Sequence, residues 1–212
     1  MKSKYFLVVV FVFGFLMQTS AQKSAVKTFF NIPRPEKCWV ITHPFKAKKA
    51  FVVSKQVKQK ADSIKTTNLL DGNANGGQVD AFRHAYWMAM LSSKIGTRAS
   101  VKLGKAHEKG NYIYYKKNKK EDGDIPDEIS SVMDLCNNNV GIKIYEKNIG
   151  RSKKEFEEII IKQIQEGNLF IIKTNKNGDF LDCKGGVISK NELQGKWSNK
   201  KCLVNSNNAI IN

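Results

Sequence analysis

The stretch QVDAFRHAYWMAMLSSKI, residues 78–95, constrains the fold more than any other part of the chain. Wound as a helix at about 100° per residue, it places Asp80, Arg83, His84, Trp87 and Leu91 on one stripe. Val79, Ala81, Phe82, Ala85, Tyr86, Met88, Ala89 and Met90 cover the other faces. A helix that is apolar nearly all round has to be wrapped by other elements. The three polar side chains in its first two turns therefore need partners inside the protein, since an unpaired buried polar group costs about 1–3 kcal/mol, and more when charged.

A second segment, SSVMDLCNNNVGIKIYEK, repeats the arrangement. Asp134, Asn137, Asn138 and Gly141 recur at i, i+3, i+4 and i+7, the spacing of Asp80, Arg83, His84 and Trp87. Gly141 leaves room for another helix, or for a large ring such as Trp87, to approach. The two polar stripes are expected to face each other across a small pocket. His107 and Glu108, at the end of a helix expected over 97–109, are a third contribution. They do not form HExxH, because Lys109, Gly110 and Asn111 follow, so the zinc-protease motif is absent.

Three readings fit these residues. His84, His107 and Asp134 make a His₂-carboxylate set with an open position, suited to a divalent metal such as zinc, with Glu108 as base or Asp80 orienting a ligand histidine. Without metal, Asp80 lies four residues before His84 and can hold it as a general base toward water. Arg83 and Asn138 would then stabilise an oxyanion or bind an anionic substrate group. In the third reading the cluster is a closed structural network in which every donor is paired.

Around these helices the chain reads as mainly α-helical with a small C-terminal β-hairpin-like appendage. Residues 22–47 are expected to be irregular, because Pro33, Pro35 and Pro44 interrupt helix formation. The helical domain is expected over 48–167, with helices over 48–66, 78–95, 97–109, 126–148 and 152–166. Tyr112–Asp124 is expected to be a loop carrying KKNKK at 116–120. A β and irregular tail follows over 168–212, with short strands in LFIIK and FLDCKGGVIS about a turn at 175–179. Four cysteines allow three pairings, and the Cys183–Cys202 bridge is favoured because the two bracket one segment. Cys136 is expected as a buried thiol.

Residues 1–21 read as a cleavable signal peptide. Lys2 and Lys4 precede an apolar run from Tyr5 to Met17, and Thr19-Ser20-Ala21 supplies the small residues for cleavage. The run is too short for a permanent anchor, which needs about 20 apolar residues. The mature protein is therefore expected in the periplasm or outside the cell, with no transmembrane anchor. A formal net charge of +17 favours anionic envelope or extracellular partners. Specific nucleic-acid binding is not expected, because Arg34, Arg83, Arg98 and Arg151 are the only arginines and readers of bases lean on arginine.

The motifs NGGQVDAFRHAYWMAML, AHE at 106–108 and MDLCNNNVGIKI at 133–144 resemble a family of secreted or envelope-associated bacterial helical domains with no settled activity. The resemblance runs from Asn75 to Ile144 and falls on Asp80, Arg83, His84, Trp87, His107, Glu108, Asp134, Asn137, Asn138 and Gly141. It implies a helical fold and an exported location. Ile142 stands where that family carries a basic residue, so anion binding there is expected to be weaker. The expected activity is a hydrolase acting on an envelope or extracellular substrate. The alternatives are a non-catalytic envelope binding or structural protein, and a secreted antibacterial toxin domain.

Overall fold

The computed structural model describes residues 27–120 and 124–209. The expected signal peptide lies outside the described residues. The chain divides into two compact units at the boundary between Ile32 and Pro33. Of the first unit, residues 27–31 are helical.

The second unit is mainly helical with a two-stranded antiparallel sheet near the C-terminus. It begins with α1 (Arg34–Thr42) and α2 (Pro44–Lys65). This corrects the expectation of an irregular 22–47 segment. Pro33 caps α1, Pro35 stands in its first turn and Pro44 opens α2. In a first helical turn proline forfeits only an N–H that has no partner there, so these prolines start helices instead of breaking them. Trp39 anchors α1 by donating its indole N–H to the Ala99 carbonyl at 3.1 Å.

The all-round apolar segment is α3 (Gln78–Ile95), packed against α2, α4 (Thr97–Lys116), α5 (Glu128–Lys147), α6 (Lys153–Gln165) and β1 (Phe170–Ile172). Val79, Phe82, Met88 and Leu91 are almost wholly enclosed. Burying each such side chain contributes about 1.5–3 kcal/mol, so α3 organises the core. α4 continues about two turns beyond the expected stop. Tyr112 and Tyr115 in those turns pack on Trp197 at centroid distances of 4.9 and 5.2 Å, which extends a helix whose sequence reads as loop.

α5 starts at an Asp127–Ser130 capping box, and α6 at one formed by Ser152 and Glu155. The polar stripe of α5 faces inward: Asp134, Asn137 and Asn138 are buried, whereas Val132 and Leu135 are exposed and Cys136 is half-buried. Its apolar composition thus does not mark its core face.

β1 pairs antiparallel with β2 (Leu203–Asn205), Ile171 opposite Val204. The expected partner, residues 180–189, instead makes isolated bridges between Thr174 and Phe180 and between Leu181 and Val187. A one-turn helix, α7 (Lys190–Leu193), and a 3₁₀ turn (Ser206–Asn208) complete the tail. The Cys183–Cys202 disulfide is present. Asn137 on α5 holds the tail in place: its amide nitrogen donates to the Phe170 carbonyl and its amide oxygen accepts the Phe170 N–H, each at 2.9 Å.

Candidate functional site

The loop before α3 fixes the first site residue. Asp71 accepts the Gln78 N–H at 2.8 Å, capping the helix from outside its own N-terminus, and Gln78 returns the bond by accepting the Asp71 N–H at 3.0 Å. Burial pushes the Asp71 carboxyl above its ordinary value of 3.8 despite these donors. Gly76, at φ +81°, turns its N–H onto Asp80 Oδ2 at 2.7 Å. That conformation is strained for side-chain-bearing residues. With Oδ2 engaged, Asp80 presents Oδ1 to the interior.

Arg83 meets that oxygen, Nη2 donating to Asp80 Oδ1 at 2.6 Å. The same Nη2 lies 3.3 Å from His84 Nε2. A guanidinium can only donate, so a hydrogen bond in this contact requires Nε2 without its proton. His84 Nε2 also stands 3.5 Å from Asp80 Oδ1 and 3.2 Å from Asp134 Oδ1. The approach to Asp134 is close in distance but is not a hydrogen bond, and Asp134 Oδ1 accepts none among the described residues. The ligand-capable atoms of Asp80, His84 and Asp134 all lie within 4.8 Å of one another. Burial, reinforced by the Asp80 and Glu108 carboxylates, pushes the Asp134 carboxyl well above its ordinary range, against the pull of Arg83 and His107.

The matched stripes on α3 and α5 therefore do face each other. Gly141 lets them: a Cβ there would fall 2.1 Å from the Ala85 carbonyl oxygen, so the space it leaves is taken by the backbone of α3. Trp87 points elsewhere, donating its indole N–H to Ser54 on α2 at 2.8 Å.

His107 sits close by without joining the cluster. Its Nδ1 is 3.1 Å from Glu36 Oε1 on α1, and its ring centroid is 6.5 Å from that of His84. Glu108 is buried, its Oε2 accepting from the Asn111 amide at 3.1 Å. Asn138 is buried one turn beyond Asp134, and neither of its side-chain polar atoms has a hydrogen-bond partner among the described residues.

Asp80, Arg83 and Asp134 line a cleft of about 490 Å³ together with Asn111. One wall comes from the tail, through Phe180 and residues 190–196. Exposed Lys120, Lys190 and Lys196 stand along it, while Lys201 is engaged, 2.7 Å from Asp127 Oδ2. Sequence reasoning missed Asn111, Glu36 and the tail wall. Asn111 follows Glu108 by three residues, a helical neighbour spacing that could have flagged it; no local pattern links residue 36 to 107.

A family model described as a domain of unknown function, DUF6973, matches residues 37–168. No curated protein and no solved structure matches the chain. No helix among the described residues is long and apolar enough to cross a membrane.

Proposed function

The chain belongs to the DUF6973 family, and from that premise and the cleft we propose that it is an exported hydrolase acting on an anionic envelope or extracellular substrate. The observation that carries this reading is the convergence of Asp80, His84 and Asp134, of which Asp80 and Asp134 line a cleft open to solvent while His84 is buried beside them. A closed structural network would pair every polar atom; here Asp134 Oδ1 is buried and accepts no hydrogen bond, and Asp80 and Asp134 border the cleft. The cluster activates the attacking water, either through His84 as base or through a cation held by the three residues. Arg83, held by Asp80, faces the negative charge that develops on the substrate. The exposed lysines along the cleft favour a substrate that is already anionic.

The test is turnover by purified protein on a panel of carboxylic esters, phosphomonoesters, phosphodiesters and peptides. His84→Gln and Arg83→Gln are expected to lower turnover by about 100-fold or more, with the thermal midpoint shifted by only a few degrees. Wild-type rates in the folded His84→Gln variant would sink the reading, and so would absence of turnover across the panel. Export is tested separately by N-terminal sequencing of extracytoplasmic protein, which is expected to begin at Gln22.

A further inference from the structure

We propose that the cleft floor is a binding site for one divalent cation of the zinc or manganese class, with Asp80 Oδ1, His84 Nε2 and Asp134 Oδ1 as its ligands. This deepens the hydrolase reading, since it concerns the same cluster, but it is tested without any turnover.

The first argument is geometric. Three atoms able to act as metal ligands converge within 4.8 Å from two different helices. In close-packed interiors such atoms are normally separated by a donor hydrogen. Here Nε2 confronts Asp134 Oδ1 at 3.2 Å without a hydrogen bond between them. A cation accepts all three lone pairs at once, and one imidazole with two carboxylates is a donor set that zinc and manganese both take.

The second argument is charge. The carboxylates of Glu36, Asp80, Glu108 and Asp134 gather here, and Arg83 and His107 are the cationic groups set against them. Carboxyl groups crowded into one buried place are commonly paired or bound to a metal.

The third observation is independent of the cluster. Asn111, on α4, is 3 % exposed and lines the same cleft. Its Nδ2 is tied to Glu108, but its Oδ1 has no hydrogen-bond partner among the described residues. A buried amide oxygen left open on the cleft that Asp80 and Asp134 also line is suited to accept from a metal-bound water, since such water donates strongly. Asp80 and Asp134, two of the three, line the cleft through which an ion and its water would enter.

The proposed set differs from the one expected from sequence. Asp80 replaces His107, whose Nδ1 is turned to Glu36. That difference makes the experiment decisive. Untagged full-length protein is stripped with a chelator and titrated with zinc chloride and with manganese chloride by calorimetry, with bound metal counted by mass spectrometry after dialysis. One equivalent of either ion and a raised thermal midpoint are expected. Asp134→Asn and Asp80→Asn are expected to weaken binding by about 100-fold or more, and His107→Gln by less than about tenfold, as befits a residue that does not touch the ion. Circular dichroism of each metal-free variant separates lost ligands from lost fold. Absence of stoichiometric binding to the folded wild type would overturn the proposal. Loss of binding in folded His107→Gln with retention in Asp80→Asn would also overturn it, in favour of the His₂-carboxylate set. Such failure of binding would leave the hydrolase reading standing with His84 as base, since that reading is tested by turnover alone.

Discussion

The Gly141 α-carbon lies against the Ala85 peptide so closely that a methyl group on it would come within 2.1 Å of the Ala85 carbonyl oxygen and 2.7 Å of the Ala85 α-carbon. This contact sits one residue from His84 and two helical turns from Asp134, and it sets the distance between the two helices that carry the cluster. Gly141→Ala is expected to destabilise the protein by about 3 kcal/mol, at the upper end for overpacking, because the obstacle is backbone and cannot swing aside. Chemical denaturation measures it. A loss below about 0.5 kcal/mol would show that α3 and α5 separate freely and that their spacing is not fixed here.

Asn137 is the only α5 residue of the polar stripe whose side chain is wholly spent on the backbone of the tail. Asn137→Ala would leave the N–H and C=O of Phe170 unpaired in the interior. The expected cost is about 2–4 kcal/mol, at 1–3 kcal/mol per orphaned group with partial relief by water. Limited proteolysis provides a second readout: cleavage between residues 173 and 202 should accelerate more than cleavage in α3. Equal acceleration at both places would mean that the residue supports the fold as a whole and not the attachment of the tail.

The Cys183–Cys202 bridge closes a loop with a sequence separation of 19. Removing it with Cys183→Ser and Cys202→Ser together is expected to lower stability by about 3 kcal/mol. Wild type should lose the same amount on adding reductant, and the double variant should be insensitive to it. Thiol titration of the denatured, unreduced wild type should find the sulfhydryls of Cys38 and Cys136 alone.

Asp71 gives a pH signature of its own. Its folded pKa is raised by burial, so the folded chain holds this proton more tightly than the unfolded chain does. Its contribution to stability is therefore complete below the unfolded value and is lost as pH rises through the raised folded value. Asp71→Asn cannot ionise and escapes that loss. The variant is expected to be weaker than wild type at low pH, having lost one of two carboxylate acceptors, and to close the gap as pH rises past the ordinary carboxyl value of 3.8 and through the raised folded one. A gap that widens over that range would reverse the sign of the shift.

The parts of this architecture that were legible from sequence are those where side-chain type and helical period agree. α3 could be placed residue for residue because few solvent-facing helices carry Phe82, Met88 and Leu91 on separate sides. The meeting of Asp80 and His84 with Asp134 could be read from two stripes of equal spacing. The sequence was misleading where one residue type has opposite meanings by position. Pro33, Pro35 and Pro44 looked like breakers and are helix starters. Leu135 and Val132 are apolar and yet face solvent, because the inward face of α5 carries the polar stripe. Long-range partners were out of reach. Glu36 approaches His107 across 71 positions, and β1 finds its mate in residues 203–205 instead of the nearer 180–189, since Asn137 and the disulfide, not local propensity, decide where the tail lies.

The cleft draws its floor and its outer wall from different parts of the gene. Asp80, Arg83, Asn111 and Asp134 belong to the stretch the family shares, 37–168, and Phe180 with residues 190–196 lies beyond it. Mutation can rewrite the wall codon by codon without touching the floor. A chimera that exchanges everything after residue 168 for the corresponding stretch of another family member would replace that wall and leave Asp80, Arg83, Asn111 and Asp134 in place.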